Sequence, residues 1–195
     1  MSEMEKGTRP ATLAGLGTDS DRGVRLVRRA AAVAGFAILT AVGARIAVPL
    51  PGTVVPFTFQ IVAVLLSGLA LGPRLGVASQ AAYLAAGAAG LPVFAAGGGA
   101  AYLLGPTGGY LLAFPIAAAL AGLGAERGSL AGRALFCALG ILAVHAGGTA
   151  WLGLTAGPGA ARAALESFAV SDLLKLALVL LIGARLRPRM RRFVG

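Results

Sequence analysis

Six long apolar stretches run along the chain, separated by proline, glycine or charged residues. They cover residues 26–48, 57–72, 75–93, 107–124, 131–152 and 165–186. Apolar runs of about 20 residues are typical of membrane-spanning helices, because backbone polar groups in hydrocarbon must be satisfied within the segment. The pattern therefore predicts an all-α bundle of six transmembrane helices, the second of which is short for a full span.

The flanking segments are polar. Residues 1–24 are rich in Gly, Thr and charged side chains without periodicity, which predicts a disordered cytoplasmic tail. Residues 25–188 form the predicted membrane domain, and residues 189–195 a basic cytoplasmic C-terminus. The first apolar stretch is too long for the core of a signal peptide, so we expect it to remain in the mature protein.

The basic residues indicate an orientation. With the N-terminus in the cytoplasm, fourteen of the 17 Lys and Arg residues fall inside, Arg45 and Arg162 fall outside, and Lys175 falls within the membrane. This bias follows the positive-inside rule, so both termini are expected to be cytoplasmic in a multi-pass membrane protein. The sixth stretch then enters from the outer face near Leu165.

Composition excludes several classes of protein. The chain is 57% hydrophobic and 12% charged, whereas a soluble domain carries about 25% charged residues. The net charge of +10 would suit nucleic acid, but the basic residues flank apolar runs and no basic stripe is interleaved with aromatic residues. Cys137 is the single cysteine, which excludes disulfides and disfavours a thiolate metal site. The sequence contains no nucleotide-binding loop and no known catalytic motif, so we expect a binding protein without a cofactor rather than an enzyme.

Asp172 and Lys175 stand three residues apart in the sixth stretch and therefore share one helix face. A charged side chain at the bilayer centre costs about 2.5–3.5 kcal/mol. We interpret the pair as the floor of a polar site, with Asp172 about 10 Å and Lys175 about 15 Å below the outer face. The alternative is that Asp172 caps a helix starting at Ser171 while Lys175 snorkels, but only about 15 residues would then precede Arg187, short of the ~20 that a span needs.

Polar residues also mark the second and third stretches. Thr58 and Gln60 alternate with two phenylalanines after Pro56, and an extended segment there would point both polar side chains the same way. A helix start with interfacial phenylalanines is the alternative. Gln80 and Tyr83 share one helix face and either reach the site or bond between helices, Tyr83 being closer to the depth of Lys175.

The outer segment 94–106 is rich in glycine and either covers the pocket or forms a re-entrant turn. We expect Phe94, at its start, to be among the substrate-binding residues. Tyr110 follows this segment at the start of the fourth stretch and is either near a helix N-terminus that receives an anionic group or an interfacial anchor. His145 has no partner at ligand spacing, so we assign it to a helix–helix contact.

A stripe of small side chains lies on one face of the first stretch. Such a stripe lets helices approach closely, either inside this bundle or against a separate membrane subunit. Its members are Ala30, Ala34, Ala37 and Ala41.

Five motifs occur together in a fixed order. They are Val-Pro-Phe-Thr-Phe-Gln60, Leu-Gly-Pro-Arg-Leu-Gly76, Gly-Leu-Pro-Val-Phe94, Gly-Pro-Thr-Gly-Gly-Tyr110 and Asp172-x-x-Lys175. Over residues 26–188 this set resembles the BioY family, the biotin-binding S components of energy-coupling-factor (ECF) transporters.

The resemblance implies a six-helix S-component fold that binds biotin near the outer face, with Asp172 and Lys175 engaging the vitamin. It also implies a transmembrane coupling subunit and two ATPase subunits, which would bind the ATP. The stripe of alanines would face the coupling subunit. Some members of the family are thought to act without dedicated partners.

The chemistry of biotin fits these residues. We expect Asp172 to accept an N–H of the ureido group and Lys175 to donate to its oxygen, with Gln60, Thr58 and Tyr83 nearby. Lys175 on the biotin carboxylate is the alternative. A rival function is an autonomous proton-coupled carrier with Asp172 as the proton site, although only His145 could join it in a relay. A small membrane enzyme is disfavoured, because Asp172 has no nucleophile or metal partner at recognisable spacing.

Overall fold

Helices account for most of the chain, as the apolar pattern predicted. The structure, a computed structural model, describes residues 13–50 and 53–195, with side chains for residues 20–50, 53–168 and 171–195. The helices are α1 Leu13–Arg45, α2 Gln60–Leu71, α3 Pro73–Ala88, α4 Ala100–Leu104, α5 Gly108–Leu112, α6 Phe114–Glu126, α7 Leu130–Ala156 and α8 Pro158–Val194. Two short strands, β1 Ala47–Val48 and β2 Phe57–Thr58, pair in antiparallel fashion between α1 and α2.

Among the described residues, three helical segments are long and apolar enough to cross a membrane: Ser20–Arg45, Gly108–Glu126 and Leu130–Ala156. The two parts of α8, Pro158–Phe168 and Ser171–Val194, meet at 51° and make a fourth if they count as one bent span. Each of the six predicted apolar stretches thus contains a helix, and the protein is all-α. The count of six spans and the orientation of the termini stay predictions.

The short helix α2 lies at the centre of the bundle, and every one of its residues is buried. It packs against α1, α3, α6 and α8. Glycine allows this close approach, because a Cβ atom at Gly68 would lie 2.1 Å from the carbonyl oxygen of Ala118 on α6. A helix that is enclosed by other helices need not match the bilayer thickness, since protein rather than lipid surrounds its ends.

The turn between α7 and α8 is much shorter than the gap between the fifth and sixth apolar stretches, residues 153–164. Helix α7 continues to Ala156 and α8 begins at Pro158, so only Gly157 breaks the helical path. Gly157 adopts a φ of 92°, which glycine reaches without steric cost. The fixed φ of proline suits the first position of the next helix. Helical structure therefore extends beyond the apolar residues that defined the predicted spans.

Both ends of the predicted membrane domain are also extended by helix. Helix α1 begins at Leu13, inside the segment predicted as a disordered tail, while residues 1–12 of that prediction lie outside the described residues. Propagation of an existing helix into polar residues costs far less than starting one. At the other end α8 continues to Val194, whose carbonyl oxygen accepts a 3.0 Å hydrogen bond from Nε of Arg29.

Candidate binding site

Three ionisable side chains meet where α7 packs against α8. Nζ of Lys175 donates to Oδ1 of Asp172 at 3.2 Å, and Nε2 of His145 lies 2.5 Å from Oδ2 of the same carboxylate. The side chain of Lys175 is 6% exposed, and those of Asp172 and His145 are each 13% exposed. Asp172 follows the bend between the two parts of α8, and its carboxylate bonds to the side chains of Lys175 and His145 rather than to the start of a helix.

These three residues line one cavity. The cavity is bounded by the entry to α2, the segment 94–106 and helices α5 to α8, and it encloses about 610 Å³ when its open mouth is counted. Aromatic rings make much of the wall, namely those of Tyr102, Tyr110, Phe114 and Phe168. A mostly apolar wall with a few polar groups is typical of a site for a small molecule that has an apolar body and a polar head.

The entry to α2 supplies two of the predicted site residues. Phe57 and Thr58 form β2 and are extended as predicted, pairing with Val48 and Ala47, whereas Gln60 is already the first residue of α2. Hydroxyl Oγ1 of Thr58 donates to Oε1 of Gln60 at 3.2 Å, and both side chains line the cavity. The backbone thus places them together even though only the first is in a strand.

The ring of Phe57 does not point away from the polar site, contrary to the alternating pattern and to an interfacial role. It lies 4.4 Å from Nζ of Lys175, and the ring of Phe168 lies 5.5 Å from the same atom. Aromatic faces attract cations at such distances. The ammonium group is therefore held by one carboxylate and two rings.

Tyr83 is next to the site rather than in its wall. Its hydroxyl accepts a 2.7 Å hydrogen bond from Nε2 of Gln60 and donates to the carbonyl oxygen of Val93 at 3.2 Å. The tyrosine is 1% exposed. Tyr83 thus orients a cavity residue from behind.

Gln80 is away from the cavity, in contrast to its predicted place in the site. Its Nε2 donates to Oγ of Ser67 on α2 at 3.1 Å, and its Oε1 accepts from Oγ1 of Thr40 on α1 at 3.3 Å. These contacts match the alternative of bonding between helices. Tyr83 and Gln80 are about one helical turn apart on α3. Tyr83 therefore reaches the cavity residue Gln60, whereas Gln80 lies between α1, α2 and α3.

Phe94 anchors the outer segment 94–106 and does not line the cavity. It is completely buried, with its ring 5.5 Å from that of Tyr83 and 5.0 Å from that of Tyr102. A Cβ atom at Gly87 would lie 2.0 Å from the ring of Phe94, so the glycine makes room for it. Ala95 and Tyr102, from the same segment, do line the cavity. The segment includes the short helix α4 and forms one wall of the site.

Tyr110 faces the cavity from α5 and is only 7% exposed, so it is not an anchor at the surface of this chain. Its hydroxyl is buried without a hydrogen-bond partner among the residues that the structure describes. Buried polar groups almost always have a partner in a native structure. The hydroxyl is therefore free to bond to a guest in the cavity.

Sequence reasoning missed the role of His145, which was given no partner. Its contact with Asp172 joins α7 and α8, so it is a helix–helix contact, but it also belongs to the polar part of the cavity. A usable signal was present. His145 lies seven positions before residue 152, the outer end of the fifth predicted stretch, and Asp172 lies seven positions after residue 165, the outer end of the sixth. The two residues are therefore expected at the same depth on consecutive helices, which favours a contact.

The stripe of alanines on α1 faces outward at one end and is partly covered at the other. Ala30 and Ala34 are exposed, while Ala37 and Ala41 are half-buried and line a shallow apolar groove. The buried face of α1 is a different one and includes Ala32. Packing inside this bundle therefore does not account for the first two alanines of the stripe.

Comparisons with known proteins identify the relatives of this chain. A family model described as the BioY family matches residues 11–192. A probable biotin transporter BioY of Pyrococcus horikoshii is 45% identical over 157 residues, which cover 80% of this chain and 93% of that protein. A biotin transporter BioY of Thermotoga maritima is 42% identical over 120 residues, covering 56% of this chain and 70% of that protein.

A solved structure agrees with these sequences. It is described as the S-component for biotin from an ECF-type ABC transporter and matches with a TM-score of 0.78 at 27% sequence identity, covering 87% of this chain and 96% of that one. The family and these relatives are transporters rather than enzymes. On the combined evidence of its fold, the order of its motifs and its relatives, the chain is a membrane protein that belongs to the BioY family.

Proposed function

We propose that this protein binds biotin in the cavity above Asp172 and Lys175, as the membrane S component of an ECF-type uptake system. The observation that carries the proposal is a buried carboxylate with two donors, at the edge of a largely apolar cavity. Relatives named as biotin transporters and the similarity to a biotin S component support it.

The hydrogen-bonding groups of biotin complement those of the cavity. The ureido ring offers two N–H donors and one strong acceptor, beside an apolar bicycle and a valeryl chain that ends in a carboxylate. Asp172 has lone pairs left on both oxygens, and Lys175 has two N–H donors left, after the bonds that they already make. Asp172 would accept a ureido N–H and Lys175 would donate to the ureido oxygen. Thr58, Gln60 and the hydroxyl of Tyr110 supply further polar contacts.

Calorimetric titration of the purified protein in detergent tests this assignment. We expect biotin to bind, and thiamine and riboflavin, which lack the ureido and valerate groups, to give no heat of binding. Binding of either control vitamin in place of biotin would refute the proposed ligand.

The expected membrane arrangement follows from the charge distribution. Six spans with both termini in the cytoplasm of a bacterial cell would place the cavity in the outer half of the plasma membrane. Cysteines introduced singly at Ser20 and at Gly159, after replacement of Cys137 by Ala, would report the sides. Impermeant maleimide on intact cells should label the second position and not the first.

Energy for uptake would come from ATP hydrolysis on two separate ATPase subunits, because this sequence has no nucleotide-binding loop. A transmembrane coupling subunit would connect them to this chain. The exposed alanines Ala30 and Ala34 are the proposed contact with the coupling subunit. The substitution Ala34→Leu should reduce co-purification with that subunit and leave biotin binding unchanged. Gly35→Leu is the control, since this exposed position has open space around it and lies about 100° around the helix from Ala34.

A proton-coupled carrier is the second candidate, favoured by the adjacency of two titratable groups, Asp172 and His145. Proton relays in membranes use such residues. Uptake of biotin by cells that lack ATPase subunits, abolished by an uncoupler, would support this candidate over the S component.

A further inference from the structure

We propose that His145 is a positioning residue of the site, whose Nε2–H holds Oδ2 of Asp172 and thereby fixes the carboxylate that receives the ligand. The expected effect on biotin binding rests on the proposed function. The contact between His145 and Asp172 does not depend on that function, because both residues belong to this chain.

The geometry divides the two carboxylate oxygens between two helices. Oδ1 receives Lys175 from the same helix, at 3.2 Å, whereas Oδ2 meets His145 from α7, at 2.5 Å. Lys175 and His145 are the side-chain partners of this carboxylate in the described part of the chain. Removal of His145 would leave Oδ2 buried without a donor, and a buried carboxylate needs its donors.

Packing holds the imidazole ring in place. The ring of Phe168 lies 5.4 Å from it at a tilt of 33°, and the ring of Tyr110 meets it edge-on at 6.2 Å. Both of these rings also line the cavity. The imidazole therefore packs against two aromatic rings, which orient it toward Asp172 in the absence of ligand.

The contact also assigns the proton on the ring. A carboxylate that accepts from Lys175 is an acceptor at its second oxygen too, so Nε2 carries the hydrogen. Nδ1 is buried and has no hydrogen-bond partner among the residues with described side chains.

The arrangement has a consequence for ligand binding. Lys175 can donate to a guest with one of its two remaining N–H groups, but any shift of the ammonium group toward the guest weakens its bond to Asp172. Separating a buried ion pair is strongly unfavourable, because it strands the other charge. A second donor from another helix keeps the carboxylate partnered during that change. His145 thus allows Lys175 to turn to the ligand while Asp172 stays in place.

Two substitutions separate hydrogen bonding from mere packing. Gln carries an amide N–H that reaches about as far as Nε2, whereas Leu fills a similar space with no donor. We expect His145→Gln to bind biotin within about threefold of the unsubstituted protein, and His145→Leu to bind at least about tenfold more weakly, as for loss of a hydrogen bond to a charged group. Equal loss in both variants, or no loss in either, would overturn the proposal.

A double-mutant cycle then tests whether His145 acts through Asp172. In the Asp172→Asn background, His145→Leu should weaken biotin binding by less than about twofold, because the acceptor that it positions is already altered. A full additional tenfold loss would show that His145 acts on its own and would refute the positioning role.

A third readout needs no ligand. His145 is the only histidine in the sequence, so the imidazole ¹⁵N resonances of tag-free protein are unambiguous. We expect the Nε2–H tautomer, with shifts that change in Asp172→Asn and not in Glu166→Gln, which lies on the exposed side of α8. An Nδ1–H tautomer, or no response to Asp172→Asn, would refute the contact. Failure of the unsubstituted protein to bind biotin would instead refute the proposed function and leave this spectroscopic test in force.

Discussion

Gln60, the first residue of α2, donates a 2.7 Å hydrogen bond from its amide to the hydroxyl of Tyr83 on α3. The same hydroxyl donates to the carbonyl oxygen of Val93, which directly precedes the outer segment. One tyrosine thus ties a cavity residue to the wall that closes the cavity. Its role is indirect, and this gives a testable contrast with residues that line the cavity.

Substitution Tyr83→Phe keeps the ring and removes the hydroxyl. We expect biotin affinity to fall about three- to tenfold, because an ordinary hydrogen bond contributes about 0.5–1.5 kcal/mol. Titration calorimetry measures the change. Thr40→Val removes a buried hydroxyl remote from the cavity and should leave the affinity unchanged while lowering the melting temperature. An equal loss of affinity in both variants would mean that general loosening, rather than Gln60, is responsible.

Asp172→Asn and Lys175→Met should each weaken biotin binding by about a hundredfold or more, because each change breaks a buried ion pair and removes a proposed contact with the ureido group. The double variant should be less impaired than the sum of the two, because no stranded charge remains. The exposed pair Arg162 and Glu166 on the same helix gives the control, and Glu166→Gln should bind biotin normally. Normal binding by both cavity variants would reject the assignment of the site.

Biotinamide distinguishes the two proposed partners of Lys175, because it keeps the ureido group and lacks the carboxylate charge. If Lys175 donates to the ureido oxygen, Lys175→Met should weaken biotin and biotinamide by the same factor. If it pairs with the carboxylate, the unsubstituted protein should prefer biotin and the variant should lose that preference. We expect the first result, because Lys175 already lies at the carboxylate of Asp172, where a ureido N–H would bind.

Gly87→Ala should disturb the outer wall, because the added methyl group would lie 2.0 Å from the buried ring of Phe94. Overpacking of this kind costs about 1–3 kcal/mol, so we expect a lower melting temperature in detergent together with weaker biotin binding. Gly35→Ala is the matched control, since open space surrounds that helical position. The double variant Gly87→Ala/Phe94→Leu replaces the ring by a smaller side chain and should restore part of the lost stability. No recovery of stability would contradict the steric explanation.

Gln80→Leu separates a structural residue from a binding one. The substitution removes the hydrogen bonds of Gln80 to Ser67 and Thr40, whose hydroxyls keep their bonds to backbone carbonyls. We therefore expect a destabilisation of about 0.5–1.5 kcal/mol for each lost bond in thermal unfolding. Biotin affinity of the folded variant should stay within about twofold, as the altered side chain is outside the cavity. A large loss of biotin affinity without a change in stability would contradict this prediction and would indicate that Gln80 contacts the ligand.

Local patterns predicted those features that depend on neighbours along the chain. Lys175 and Asp172 face each other because residues three apart on a helix must do so, whatever the rest of the fold. Thr58 lies in an extended segment, which the aromatic and β-branched side chains of Phe57 and Thr58 favour locally. Each apolar stretch contains helix for the same local reason, although the helix ends extend further than apolarity indicated.

Long-range packing decided what these patterns left open. Gln80 and Tyr83 share one face of α3, yet only the tyrosine meets a cavity residue, because α1 and α2 cover the face beside Gln80. His145 contacts Asp172 because the tight turn at Gly157 packs α7 against α8. The sequence by itself determined the helices, their apolar character and the charged pair, since these depend on residues within one or two turns. Only the tertiary structure decided which polar groups share the cavity, because that depends on which helix faces the packing of small residues brings together.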